Sequence, residues 1–402
     1  MAQLLALGDY WWGWGNLLFR WLHVVAAIAW IGSSFYFIAL DNHLEPPADE
    51  RDAARGVAGE AWEIHGGGFY RVEKFRVAPH ALPEPLYWFK WEAYTTWLSG
   101  FALFVVVYFI HPQTYLVDPS VAKLSSWEAI AIAVGGLALA WLVYDGACRV
   151  LGSNERAIAA VVAAGVVLAA YGTSELFQSR AAYLEVGAML GTIMAANVFL
   201  VIIPAHWELV RAKEAGREPD PAPGIRGKQR SVHNNYLTLP VLFAMLSNHF
   251  PSSYGHSYSW LVLMAMMVIG AWIRLFFNLR HAGRTVWAIP VTAALAIAGV
   301  AVAIRPAGGS AGGSVSGSVS FARVNSIVEQ RCVPCHSAHP TKVSVAPKGV
   351  MFDTPAQIAA QASAIQQVAV TTKVMPIGNA TGMTQGERDV LGAWIRQGAR
   401  IK

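Results

Sequence analysis

Two cysteines and a histidine stand at Cys332-Val333-Pro334-Cys335-His336. Thiols at this spacing can each bond a vinyl carbon of a porphyrin. The adjacent imidazole then reaches the iron from one face. The same thiol pair could serve zinc or disulfide exchange, but the chain holds only 3 cysteines. A zinc site would therefore lack thiolate partners, and the histidine follows at once. One covalent haem c is the expected cofactor, with His336 as its first iron ligand. The second ligand is expected at Met375, which precedes Pro376. A thioether there raises the haem potential and makes an electron acceptor. Met351 lies close to the haem histidine and Met383 borders the last helix, so a core role suits these two better.

The flanking residues read as elements that would hold such a group. Phe321 to Arg331 forms a helix leading into the attachment site. Thr384 and Glu387 make a capping box that opens a helix with Val390, Leu391, Trp394 and Ile395 on one side. About 80 residues give a thin core alone, which a haem would fill. Residues 321–402 resemble a class I cytochrome c. Residues 306–320 are nearly all Gly, Ser, Ala and Val, a flexible tether of about 20 Å average span and up to roughly 50 Å when stretched.

The first 305 residues are of another kind. Of the 402 residues in the chain, 55% are apolar and 14% charged, and a soluble protein of that composition would need a mostly apolar surface. Apolar runs fit eight membrane spans, near 17–40, 94–111, 127–146, 157–175, 183–205, 236–250, 258–279 and 286–304. The expected fold is all-α: an eight-span bundle over 1–305, a linker over 306–320 and the small haem domain over 321–402. The first span is expected to act as its own uncleaved signal. The net charge of +5 points to no nucleic-acid partner.

Basic residues orient the bundle. The segments 41–93, 147–156, 206–236 and 280–285 hold 16 Lys and Arg, and the alternate segments hold 2. The positive-inside rule places the first set in the cytoplasm and both termini outside. Haem attachment by this motif is periplasmic in bacteria, so the two arguments agree on an inner-membrane protein.

Histidines occur toward both sides. His23 sits about 9 Å inside the first span, and His249 lies near the outer end of the sixth. The pair could hold a haem b between helices, and that reading is preferred for these two over interfacial histidines satisfied by water or a carbonyl. His111 and His256 are also on this side. The inner side carries His65, His80, His206, His233 and His281. His65 heads Gly66-Gly67-Gly68, followed by Arg71, Lys74 and Arg76, a loop that could hold a flat anion or simply be a basic membrane-proximal turn. Arg274 interrupts the seventh span, and a buried guanidinium there needs a carboxylate, a propionate or an anionic substrate. Glu175 and Glu185 are its candidate partners. Cys148 reads as inert packing.

Longer runs carry a resemblance. They are Trp62-Glu63-Ile64-His65-Gly66-Gly67-Gly68-Phe69-Tyr70, Trp88 to Gly100, His233-Asn234-Asn235-Tyr236-Leu237-Thr238-Leu239-Pro240, Ser247-Asn248-His249-Phe250-Pro251 and Phe277-Asn278-Leu279-Arg280-His281. Together they resemble the bacterial integral-membrane urate oxidases (urate hydroxylases), which join eight spans to a C-terminal cytochrome c. The resemblance implies oxidation of urate to 5-hydroxyisourate in purine breakdown. Electrons would pass to haem c and then to a soluble cytochrome or terminal oxidase, not directly to oxygen.

With that activity, the inner pocket would bind urate through Lys74, Arg71 or Arg76 and Arg274. His65 or His80 would take the protons. A haem b on His23 and His249, joined by one on His233 and His281, would carry electrons across. Alternatively, urate binds on the outer side beside haem c and no membrane haem is needed. Two readings from other classes stand beside these: a quinol-to-cytochrome electron-transfer subunit, and a transporter with an attached redox domain.

Overall fold

The computed structural model describes residues 2–256, 258–305, 317–343 and 346–401. Most of the expected tether, 306–316, lies outside the described residues. The chain is mainly helical. Among the described residues, 6 segments are long and apolar enough to cross a membrane: Tyr10–His43, Trp91–Phe109, Ser126–Leu151, Glu155–Ser174, Ser179–Glu214 and Ser259–His281. The eight expected spans are thus not all of one kind. The sixth is the C-terminal part of a helix, Pro221–Ser247, whose first half is polar. The eighth is the short apolar helix Ala288–Ala303.

The main helices are α1 (Ala2–His43), α2 (Trp91–Phe104), α3 (Ser126–Leu151), α4 (Glu155–Ser174), α5 (Ser179–Asn197), α6 (Ile203–Glu214), α7 (Pro221–Ser247), α8 (Ser259–His281) and α9 (Ala288–Ala303). Their starts are chemically marked. Ser125 and Glu128 form a reciprocal capping box on α3, Asn154 caps α4, and Asp220 caps α7 with Pro221 in the first turn. Such a cap stabilises a helix by about 1 kcal/mol. α5 is the axis of the bundle, packing on α3, α4 and α7, while α7 packs on α8. Gly270 of α8 lets it lie close to Pro240, since a Cβ there would sit 3.2 Å from the proline nitrogen. Two wide π turns, Val105–Phe109 and Val198–Ile202, continue α2 and α5.

The all-α expectation needs one correction. Strands β1 (Val57–His65) and β2 (Gly68–Phe75) pair antiparallel, with His65 opposite Gly68. Gly66 and Gly67 form the two-residue turn at φ 58° and 82°, left-handed values that glycine supplies at no steric cost.

The C-terminal segment has its own core. Helices α10 (Phe321–Arg331) and α11 (Gln385–Arg396) bury Val324, Val328, Val390, Leu391 and Trp394, with Ile358, Ile365 and Val370 between them. The Thr384–Glu387 capping box is formed as expected.

Candidate functional site

The attachment motif caps α10. His336 N–H donates to the Cys332 carbonyl at 2.9 Å, so the motif makes a helix-like turn that sets both thiols and the imidazole together. Nδ1 of His336 lies 3.0 Å from the Val350 carbonyl. Donation there fixes the ring and leaves Nε2 free for a metal. Phe352 packs against the ring at 5.3 Å. Both thiols are free, and burial pushes the Cys332 thiol up to about 12. It is therefore a poor thiolate for exchange chemistry.

Met375 packs on the same apolar cluster as Cys332 and Val333. Its carbonyl accepts from Arg388 at 2.7 Å, and its N–H donates to the Val368 carbonyl at 2.8 Å. Met383 is 3% exposed and lies in the core, while Met351 sits beside Phe352 in the chain and is half-buried. The free Nε2 of His336, the free thiols of Cys332 and Cys335, and the Met375 thioether on the same apolar cluster as Cys332 fit a haem with His336 and Met375 as its iron ligands.

In the bundle, arginines on two neighbouring helices are buried. Arg274 of α8 is 3% exposed. Its Nε donates to Asn235 Oδ1 at 2.5 Å, and Asn235 donates on to Asn278 Oδ1 at 3.1 Å. The guanidinium carbon stands 3.9 Å from the centre of the Phe35 ring. Its Nη2 is buried with no partner. Tyr236 and His281 lie within electrostatic reach, and His43 is near His281. Neither Glu175 nor Glu185 pairs with it among the described residues, which corrects the expected carboxylate partner: Glu185 is itself buried with both oxygens unpartnered.

Arg230 of α7 is 4% exposed and fully engaged. It donates to Asp145 Oδ1 at 2.7 Å and to Asn197 Oδ1 at 3.3 Å, above the Tyr144 ring. Asn197 donates to the Tyr144 hydroxyl and to Asn234. Tyr144 meets Nδ1 of His233 at 2.8 Å, and Nε2 of His233 meets Glu155 at 2.8 Å.

That network corrects two expectations. Both ring nitrogens of His233 are already used, so it has none to offer a haem. His281 belongs instead to the neighbourhood of Arg274 and His43, and the structure does not join the pair. Two of the three cations of the basic loop are also committed to carboxylates. Its glycines are the hairpin turn, and His65 is exposed beside them. Lys74 pairs with Asp41 at 2.6 Å, and Asp41 also pairs with Lys228. Arg71 is held by Asp52 and Glu60. Arg71 and Lys74 are thus each paired with a carboxylate, while Arg76 forms no ion pair among the described residues. His80 is exposed along a cleft of about 390 Å³ with Trp88, Trp207 and Lys213, apart from His65.

His23 lies with Nδ1 3.0 Å from the Thr96 carbonyl, its ring flat against Gly100, where a Cβ would come within 2.8 Å. This is the carbonyl-satisfied state, and as at His336 it leaves Nε2 free. His249 is exposed beyond the end of α7; Arg20 lies within electrostatic reach of both. Cys148 is packed in the main core.

The C-terminal segment meets the bundle at one end. Gln178, with its amide turned so that donor meets acceptor, donates to the Tyr115 carbonyl at 2.9 Å and accepts from Gly378 N–H at 2.6 Å. Gly378 faces the carbonyls of Gln113, Thr114 and Val117, where a Cβ would sit 3.1–3.3 Å away. Gly255 abuts Thr372, and Val374 packs on the bundle core. Every bundle residue in this seam belongs to the segments poor in basic residues.

In the sequence, Asn235 stands out only as part of the run His233 to Pro240. Phe35, Asp145, Arg230, Asn197, Arg20 and Arg180 were not foreseen as a group. Polar side chains inside apolar runs were the available signal. Residues 9–305 match the family model described as Urate oxidase N-terminal. No curated protein and no solved structure matches the chain.

Proposed function

Since the chain belongs to the urate oxidase N-terminal family, we propose that it is a membrane-bound oxidoreductase that converts urate to 5-hydroxyisourate, with electrons leaving through its C-terminal segment. The balanced step is urate plus water to 5-hydroxyisourate, two electrons and two protons. The observation that carries the site assignment is the buried Arg274 guanidinium with an unpartnered Nη2. An unpaired buried cation is costly, and a planar anion would relieve that cost. Nη2 would hold a urate oxygen, the Asn235 amide would fix orientation, and Phe35 would pack a flat face. His281 lies in the field of Arg274 and replaces His65 and His80 as the group that takes a proton.

A haem on Cys332, Cys335, His336 and Met375, when bound, supplies a one-electron acceptor. The free Nε2 of His336 and of His23 supports a haem c there and a haem b held by His23 and His249, which would shorten the distance from Arg274 to the seam. The His233 and His281 pair is dropped. The seam supports a topology with the C-terminal segment and the basic-poor segments on the periplasmic face of the bacterial inner membrane. A soluble cytochrome or terminal oxidase would then collect the electrons.

The test adds urate to purified, oxidised, haem-loaded protein without oxygen and follows the c-type α band. Reduction in the wild type and its loss in Arg274→Gln, with porphyrin content unchanged, is the expected result. No reduction by urate alongside reduction by quinol would overturn it.

A further inference from the structure

At the end of the bundle that meets the C-terminal segment lies a second group of cations with no carboxylate. Arg20 of α1 donates only to Asn16, at 2.9 and 3.2 Å. Arg180, in the first turn of α5, has its Nε buried without a partner. The two arginines lie within electrostatic reach of each other, and neither forms an ion pair among the described residues. Both lie within electrostatic reach of Tyr108, which is 4% exposed with its hydroxyl unpartnered. Like charges facing one another beside unsatisfied donors cost free energy unless an anion sits between them.

The neighbours say where that anion would come from. Gln178, which holds Gly378, is two residues from Arg180. Tyr115 feels both Arg180 and Cys335; burial raises its phenol and the arginine pulls it back. His249 feels Arg20 and Arg180 together with Lys348 of the C-terminal segment. Cys335 and Arg180 thus share Tyr115 as a neighbour, and Lys348 shares His249 with both arginines.

We propose that Arg20 and Arg180, with the Tyr108 hydroxyl, form a site for haem propionate carboxylates, and that the haem carried on Cys332 and Cys335 presents its propionate edge to them. The contact is polar and stabilises the docked arrangement of the two parts. It also raises the haem potential, because nearby cations disfavour the more positive, oxidised iron. The inference rests on the haem attachment read above, and its test separates the two.

The experiment uses full-length, haem-loaded wild type, Arg20→Gln, Arg180→Gln and Arg180→Lys. Acid-acetone extraction and haemochrome spectra measure covalent and extractable porphyrin, and a redox titration measures the midpoint of the covalent haem. The expected result is a roughly tenfold fall in the equilibrium constant for reduction in each Gln variant, about 59 mV for one electron, with covalent haem retained and the value partly restored in Arg180→Lys. Loss of extractable porphyrin with an unmoved covalent midpoint overturns the proposal, since the carboxylates at the arginines then belong to a second, non-covalent haem. Unmoved midpoint and porphyrin, with urate-driven reduction abolished, makes the pair a substrate site and overturns the proposal. Absence of covalent haem from the wild type overturns the attachment reading itself.

Discussion

Arg230 and Arg274 are both buried arginines on neighbouring helices, yet their surroundings differ. Arg230 has Asp145, Asn197 and the Tyr144 face, and the network it enters runs out through His233 to Glu155. Arg274 has one amide oxygen, one aromatic ring and an idle nitrogen. A charge that is fully paired specifies the packing of α3, α5 and α7. One left partly unpaired is an expense that only a ligand can recover.

Breaking the paired arginine has the largest effect. Asp145→Asn leaves the buried Arg230 charge without its carboxylate, at about 3–5 kcal/mol, and thermal unfolding in detergent will show the loss; Arg230→Gln costs less, because Asp145 keeps Arg149 at 2.6 Å. Replacing both by Leu and Met recovers most of it. Substitution of Arg274 separates function from fold. Arg274→Gln lowers urate-driven reduction by about a hundredfold, roughly 2.7 kcal/mol, while the unfolding temperature moves little or rises. Arg274→Lys does not rescue, because a point charge cannot replace a planar fork.

The same contrast exists between methionines. Met383→Ala empties a core position and costs about 2 kcal/mol or more, leaving the haem spectrum as it was. Met375→Ala changes the spectrum and lowers the midpoint potential, with the smaller stability loss. The weakest effect tests the cap of α11. Thr384→Ala costs about 1 kcal/mol. Burial works against the Glu387 charge, but Arg331 and the Thr384 amide and hydroxyl hold its pKa below the ordinary glutamate value. Its contribution is therefore present above about pH 4.3 and lost as pH falls through the lower folded value. The difference between wild type and Thr384→Ala narrows on acidification below about pH 4.3, leaving the cap to the Glu387 N–H, as thermal unfolding will record.

The C-terminal segment was readable because its signals are local. The helix Phe321–Arg331, the capping box and the apolar face of Val390, Leu391 and Trp394 all lie where short-range pattern puts them. The hairpin was equally local, with Gly66-Gly67 as its turn signal, but the glycines beside cations suggested an anion loop. Which cations are spent was not legible, since Lys74 meets Asp41 across 33 residues and Arg230 meets Asp145 across 85. Arg274 stood out because one charge inside an apolar run is conspicuous. Arg20 and Arg180 did not, being near span ends where snorkelling is the ordinary explanation.

The wide turns at Val105–Phe109 and Val198–Ile202 have a mechanical corollary. Each inserts about one extra residue into a helix that advances roughly 100° per residue. Winding the same residues as regular α-helix would rotate everything downstream by that angle. The Pro112–Tyr115 helix would then swing off the Gly378 seat after the first turn, and Arg211 and Lys213 of α6 would face a new direction after the second. Removing one residue as the wide turn closes would leave the downstream heading nearly unchanged, so each extra residue is absorbed where it sits.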